Sequence, residues 1–369
     1  MSEANETVLE IDLSAITHNY TFLKSKLDKE TSFLAVVKAF AYGSDAVAVA
    51  KHLETLGVDY FAVAYTSEGV ALRKAGIRKP ILVLHPQPVH FKSLIENCLE
   101  PSLYNARVLK IFVALATNEG QKNYPVHIKF NTGLNRLGFW ENDVQYIAKI
   151  VKATTSIEVR SLFSHLAASE DLNEQKFTTN QIKDFKKIAA NFESEMGYTP
   201  KLHLLNTSGV LNYAKEGQFD MVRCGIGLYG FGNDPKFNPH FKNVLSLKTV
   251  ISQIHQIEPN ESVGYNRAFK APKFMKTATL PIGHADGIHR ALGNGLGYVQ
   301  IHGQKAPIIG NVCMDMIMVD ISHIPCKEGD QVVVFNQQDT VNDLAKNSNT
   351  ISYELLTALS QRIKRKIIS

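Results

Sequence analysis

The chain has 369 residues, 44% hydrophobic and 20% charged, the balance of an ordinary globular protein with room for about two domains and a large buried core. A formal net charge of +5, from 40 Lys and Arg against 35 Asp and Glu spread along the sequence, is too diffuse for a nucleic-acid footprint. No apolar run reaches the roughly 18 residues of a membrane helix, and the acidic opening MSEANETVLEIDL does not read as a signal peptide. Cys98, Cys224, Cys313 and Cys326 form no CxxC pair, so a reduced cytoplasmic protein without a metal site is expected.

The first clear element is FLAVVKA (33–39), a continuous apolar run suited to a buried parallel strand. DAVAVAKHLETLG (45–57) follows with apolar residues at helical spacing and a glycine stop. The unit then repeats. DYFAVA precedes TSEGVALRKAG, PILVLH precedes a helix near 89–97, and VHIKFNTG precedes a helix near 141–153. RSLFSHL, LHLLNT and FDMVRCGIG continue the series. About eight strand–helix units predict an α/β fold closed as a (β/α)8 TIM-type barrel over residues 10–235. FGNDPKFNPHFKN breaks the pattern and marks a boundary. Beyond it, short runs such as LKTVISQIHQI, KTATLPI, GYVQIHG, MIMVDIS and DQVVVF predict a mostly β C-terminal domain over 236–369. One helix near 352–361 interrupts it, and the N-terminal segment 1–9 is expected to join it.

Several residues along this frame can carry chemistry. Lys38 stands near the end of a buried strand, at the barrel mouth where active sites collect, and burial there favours a Schiff-base amine. A lysine snorkelling to solvent fits the same position. RCGIGLYG (223–230) contains a formal G-x-G-x-x-G, but FGNDPKFNPH cannot supply the helix a dinucleotide site requires. A phosphate cradle of backbone N–H groups, or a plain glycine turn, remains. KFNTGLNRLGFW (129–140) offers Lys129, Asn131 and Arg136, whose guanidinium can hold a carboxylate or phenolate or serve a structural ion pair. His165 ends a strand, Asn206, Thr207 and Ser208 follow another, and Tyr265 and Met314 lie in the β-rich part; each alone is compatible with packing.

Taken together and in order, AVVKAFAYGSDA, KFNTGLNRLGF, MVRCGIGLYG, SVGYNRAF, GNVCMDM and TISYELL resemble the motifs of the fold-type III pyridoxal-phosphate alanine racemases over almost the whole chain. The resemblance implies that Lys38 carries pyridoxal 5'-phosphate and serves as one of two bases, with Tyr265 as the other. It implies that Tyr42, Thr207, Tyr353 and the backbone of Gly225 and Ile226 hold the cofactor's phosphate, with Asn206 also among the cofactor-binding residues. Arg223 lies at the ring nitrogen, and His165 sits between Arg223 and Tyr265. Arg136 contacts the phenolic oxygen and the substrate carboxylate, with the Met314 amide near that carboxylate. Lys129 occupies a position often carbamylated in the family. The expected assembly is a head-to-tail homodimer with shared active sites, acting on alanine and supplying D-alanine for peptidoglycan.

The chain departs from many relatives at two places. His284 stands in IGHADG where a tyrosine is common on the substrate access path, which bears on specificity or on a pH-dependent gate, or is a tolerated hydrogen-bonding substitution. Asn131 replaces an aspartate, which weakens the case for a carbamylated Lys129. Two further readings are a racemase for another small amino acid such as serine, and a non-catalytic pyridoxal-phosphate homeostasis protein. The second is usually a barrel alone, unlike this chain.

Overall fold

The computed structural model describes residues 5–369. The chain folds into two compact units, one of residues 16–41 and 46–242, the other of residues up to Ala15, 42–45 and from Asn243 onward.

The first unit is the expected barrel. After β1 (Val8–Asp12), which belongs to the other unit, come β2 (Ser32–Val36), β3 (Tyr60–Val63), β4 (Ile81–Val83), β5 (Glu100–Leu103), β6 (Tyr124–Lys129), β7 (Ile157–Phe163), β8 (Lys201–His203) and β9 (Met221–Cys224). All pair in parallel in chain order, and β9 closes on β2 with Ser32 opposite Met221. Strands wrapped by helices are shielded on both faces, so β3, β4, β5 and β9 are buried at every residue. Helices such as Ala46–Thr55, Ala106–Asn118 and Gln175–Met196 cross between strands. Against this apolar frame the interior carries buried Glu100, His127, Lys129, Ser161, His203 and Arg223. Burying such groups is costly unless they are paired, so their partners matter. A register shift between Val126 and His127 sets Ser161, rather than Arg160, opposite His127.

The chain beyond β2 holds an unusual turn. Residues Lys38–Gly43 form one helical turn, but Ala39, Phe40, Ala41 and Tyr42 have φ of 51, 55, 53 and 56° and Gly43 has 83°. The turn is therefore left-handed, at a cost of roughly 1–2 kcal/mol per L-residue.

In the second unit, β1 joins β10 (Leu245–Val250), β11 (Gln253–Ile257), β14 (Met275–Leu280), β15 (Tyr298–Ile301), β16 (Gln304–Ile309), β17 (Ile317–Asp320), β18 (Gln331–Phe335) and β19 (Lys364–Ile368) in one sheet of order β11-β14-β17-β16-β15-β18-β10-β1-β19. A two-stranded ribbon, β12 (Ser262–Val263) with β13 (Phe269–Lys270), stands apart from it. The expected single helix is a pair, Gln338–Asn347 and Ser352–Thr357. The first leaves little trace in the sequence because QDTVNDLAKN is polar overall, and only Val341, Leu344 and Ala345 supply a narrow apolar stripe. No helix among the described residues is long and apolar enough to cross a membrane.

Candidate active site

Period-two alternation puts His127 and Lys129 of β6, and Ser161 and Phe163 of β7, on one face of their strands. His203 ends β8 and Arg223 lies in β9. The barrel thus collects the cationic side chains that were scattered in sequence. Lys38 is half-buried, and its amine is held below the usual lysine range, first by burial and then by Arg136, with Glu68 opposing. Lys129 is pushed down to about 8 by burial and by Arg136, Arg223 and Lys38. Its ammonium lies 5.8 Å from the centroid of Phe163, and the Arg223 guanidinium lies 5.2 Å from the same ring. His165 is kept neutral, well below its ordinary value, by burial and by Arg223, Arg136, Lys129 and Lys38.

Arg223 is buried and heavily engaged. Its Nη1 donates to His203 Nδ1 at 2.9 Å and to the His203 carbonyl at 3.0 Å. Its Nη2 donates to the Ser164 and Leu204 carbonyls at 2.6 and 3.0 Å and to His165 Nδ1 at 3.1 Å. Among the described residues Nε has no partner, so it is the donor left for a ligand. Because a guanidinium cannot accept, His165 must carry its own proton on Nε2.

The glycine turn after β9 takes the cradle form. Gly225 and Gly227 point their N–H groups at Thr207 Oγ1, at 3.3 and 3.2 Å. A Cβ on Gly227 would lie 2.6 Å from Thr207 Cγ2, so this approach requires glycine. Asn206 caps the helix Thr207–Gly217 by accepting from the Gly209 N–H at 2.8 Å, and accepts from Ser169 Oγ at 2.8 Å. In the other unit, the rings of Tyr42 and Tyr353 lie 6.0 Å apart.

That unit also gathers Tyr265, Met314 and His284. Asn311 donates to the Tyr265 carbonyl at 3.2 Å, and the N–H groups of His284 and Ala285 bond the Cys313 and Met314 carbonyls at 2.9 and 3.0 Å. Gly283 makes this possible, since a Cβ there would sit 2.2 Å from the Met314 carbonyl oxygen. Asp286, which caps the Gly283 N–H, is clamped by Arg362 at 2.7 Å. The Tyr265 side chain is 75% exposed.

Both parts of the chain match known proteins. The model for the alanine racemase N-terminal domain matches residues 11–233, and that for the C-terminal domain matches residues 244–367. The chain belongs to the alanine racemase family. The alanine racemase of Thermodesulfovibrio yellowstonii is 34% identical over 367 residues, 97% of each chain. The solved alanine racemase of Clostridium difficile superposes with a TM-score of 0.92 at 32% identity, over 98% of this chain and 96% of that one. The alanine racemase of Bartonella henselae, solved with covalently bound pyridoxal phosphate, superposes with a TM-score of 0.87 at 30% identity, over 98% and 99%.

For an alanine racemase, the donor set here fits a phosphorylated aldehyde cofactor. An amine with a depressed pKa, a free guanidinium N–H and a glycine turn whose Gly225 and Gly227 N–H groups converge on the Thr207 hydroxyl lie in one unit, with Glu68 the acid that acts on Lys38. Glu68 is a residue the motifs do not single out. Its Oε1 accepts from the Ala39 N–H at 2.6 Å and its Oε2 from those of Ala64 and Tyr65 at 2.7 and 3.0 Å, so it ties the left-handed turn to the next helix. Its signal was the acid at the third position of the helix Thr66–Lys74, where a capping carboxylate sits.

Proposed function

We infer that this chain is a pyridoxal-phosphate-dependent alanine racemase that moves the α-proton between two faces of bound alanine. The observation that carries the residue assignment is the cluster of Lys38, Lys129, Arg136 and Arg223, in which burial first and neighbouring cations second depress the two amines, a setting that favours an anionic occupant. When bound, the cofactor supplies a carbonyl that captures amines and a conjugated ring that takes up the electron pair left at the α-carbon. Lys38 Nζ holds the cofactor in the resting state and, once released, takes or returns a proton at one face. Tyr265 Oη does the same at the opposite face, so no single base has to swing around the substrate. Racemisation needs both.

Arg136 holds the substrate carboxylate with a planar pair of donors. Thr207 and the backbone of Gly225 and Ile226 would take the phosphate; Tyr42 and Tyr353, whose rings lie 6.0 Å apart in the other unit, are the tyrosines that the family resemblance adds to that expectation. Arg223 offers Nε–H to the ring nitrogen; a guanidinium keeps its proton, so the ring draws electrons less strongly than it would beside a carboxylate. That restraint favours returning the proton over transferring the amino group. Tyr265 is exposed, which supports a second copy of the chain completing the site. The D-alanine made this way suits cell-wall peptidoglycan. The backbone of His284 and Ala285 pairs with that of Cys313 and Met314, which supports His284 as the residue that takes the place of the relatives' access-path tyrosine.

The test is a racemisation assay from L- and D-alanine and from serine, with an absorbance spectrum of the purified protein. Alanine should interconvert in both directions faster than serine, and a band near the visible edge should disappear on borohydride reduction. Tyr265→Phe should keep the band and lose most racemisation. No interconversion of alanine, or near-normal turnover by Tyr265→Phe, would defeat this reading.

A further inference from the structure

We propose that Glu100, His127, Ser161 and His203 form a one-directional hydrogen-bond relay through the barrel core that holds Arg223 in place as a donor-only cation, with the Glu100 carboxylate as its remote counter-charge. This rests on the reading that Arg223 meets the cofactor ring. The four are positioning residues, acting through Arg223.

The proton on every atom of the relay is determined. Arg223 Nη1 can only donate, so His203 Nδ1, 2.9 Å away, must be an unprotonated acceptor. His203 therefore carries its proton on Nε2 and donates it to Ser161 Oγ at 2.7 Å. Ser161 has one O–H and spends it on His127 Nδ1 at 2.6 Å. His127 is then left with its proton on Nε2, which donates to Glu100 Oε2 at 2.6 Å. The order cannot run backward, because that would require a guanidinium to accept. At the other end a carboxylate has nothing to donate, so both termini impose the same direction.

The surroundings agree with this assignment. His203 is held neutral by burial and by Arg223, as an acceptor facing a cation must be. Its ring stacks on Phe163 at 4.8 Å between centroids, which fixes the plane in which Nδ1 and Nε2 point. His127 stands edge-on to both Tyr60 and His203, at 6.1 and 6.0 Å. Tyr60 adds a phenol hydrogen bond to Glu100 and is itself pushed up by burial, so it stays a donor. The other charged groups acting on Arg223's neighbours are Lys38, Lys129 and Arg136, all cations. Glu100 is thus the anion to which Arg223 is joined by unbroken hydrogen bonds. A register shift places Ser161 beside His127; without it Arg160 would occupy the central position and no hydroxyl would join the two imidazoles.

Each donated bond polarises the next in the same sense, so the relay strengthens the acceptor that faces Arg223. If it were cut at Ser161, His203 Nε2–H would be buried without an acceptor, and shifting that proton to Nδ1 would set Nδ1–H against Nη1–H unless the guanidinium turned. Arg223 would keep its carbonyl acceptors but turn away from His203, and its remaining N–H would lose its aim.

The test is ¹⁵N magnetic resonance of the holoenzyme labelled at histidine, assigned with His127→Asn and His203→Asn. Both imidazoles should be neutral with the proton on Nε2 across the pH range of activity. Either ring protonated, or carrying its proton on Nδ1, would overturn the relay. Ser161→Ala should retain the folded barrel and bound cofactor, show His203 as a mixture of tautomers, and release several-fold more pyruvate per racemisation, the amino group then remaining on the cofactor. Ser161→Thr, which restores the hydroxyl, should reverse both changes. An Ala variant with an unchanged His203 tautomer and an unchanged pyruvate ratio would also overturn it. If Ser161→Ala does not fold, the tautomers of the unaltered protein decide alone. Absence of racemisation in the unaltered protein would defeat the parent reading while leaving the tautomer pattern to decide the relay.

Discussion

Lys129 is an amine whose proton the site weakens, first by burial and then by three neighbouring cations. It is buried, faces three other cations and has no carboxylate partner among the described residues. Asn131 does not help: its Oδ1 is spent on the Gly133 and Asn135 N–H groups and its Nδ2 on Asn135 Oδ1. With a folded pKa of about 8 against an ordinary 10.5, Lys129 binds fewer protons in the folded than in the unfolded chain between those values. Stability therefore rises as pH climbs from about 8 to 10.5 and is lowest below about 8. Lys129→Met is expected to stabilise the cofactor-free protein by roughly 1–3 kcal/mol at pH 7, and by much less near pH 10.5. Urea melts at the two pH values in carbonate-free buffer check this; equal midpoints at pH 7 would refute it. The same depressed pKa leaves a free amine for carbon dioxide. A carbamate would replace a repelled cation with an anion for Arg136 to pair, and labelled bicarbonate should give a ¹³C carbamate signal that Lys129→Met lacks.

At the scale of elements, two turns do the positioning, and they differ in how visible they are. The turn after β9 advertises itself, since RCGIGLYG carries three glycines and the structure uses Gly227 to bring its N–H to Thr207 Oγ1. Gly227→Ala should push Thr207 away and raise the dissociation constant for pyridoxal phosphate about 10-fold or more, because overpacking here costs ~1–3 kcal/mol. Fluorescence titration of the cofactor measures this, and an unchanged constant in a folded variant would argue against the cradle. The turn after Lys38 gives no such warning. Ala39, Phe40, Ala41 and Tyr42 are not residues that favour positive φ, and only Gly43 hints at it. It is held by the Ala41 N–H on the Val37 carbonyl at 3.0 Å and by Glu68, whose capping position is legible locally but whose reach to the Ala39 N–H is not. The barrel strands were legible because parallel strands buried on both faces read as apolar runs. The relay residues were not, because a histidine inside VHIKF or LHLLN carries no mark of what it faces. Pairing across β6, β7 and β8 supplies that, including a register shift invisible in one strand alone.

At the scale of the whole molecule, the question is whether Tyr265, proposed as the second base, reaches the site from a second copy of the chain. Lys38 belongs to the barrel unit and Tyr265 to the β-rich unit, where its side chain is 75% exposed beside Met314 at 59% and Met316 at 48%. Large apolar side chains left this open are typical of a surface that another molecule covers. In a two-fold homodimer each chain contributes equally, so one chain's Lys38 can face the other's Tyr265 twice. Mixing two inactive variants tests this. If sites are shared, a mixed dimer of Lys38→Ala and Tyr265→Phe chains has one site carrying both substitutions and one carrying neither. Random reassortment makes about half the dimers mixed, each with one of two sites intact, so about a quarter of the unaltered activity should return. Activity should grow with the rate of subunit exchange and stop growing if the subunits are cross-linked before mixing. If both bases came from the same chain, every site would carry one substitution and nothing would return. Confirmed mixed dimers without activity would therefore place both bases in one subunit, and Tyr265 would need another explanation for its exposure.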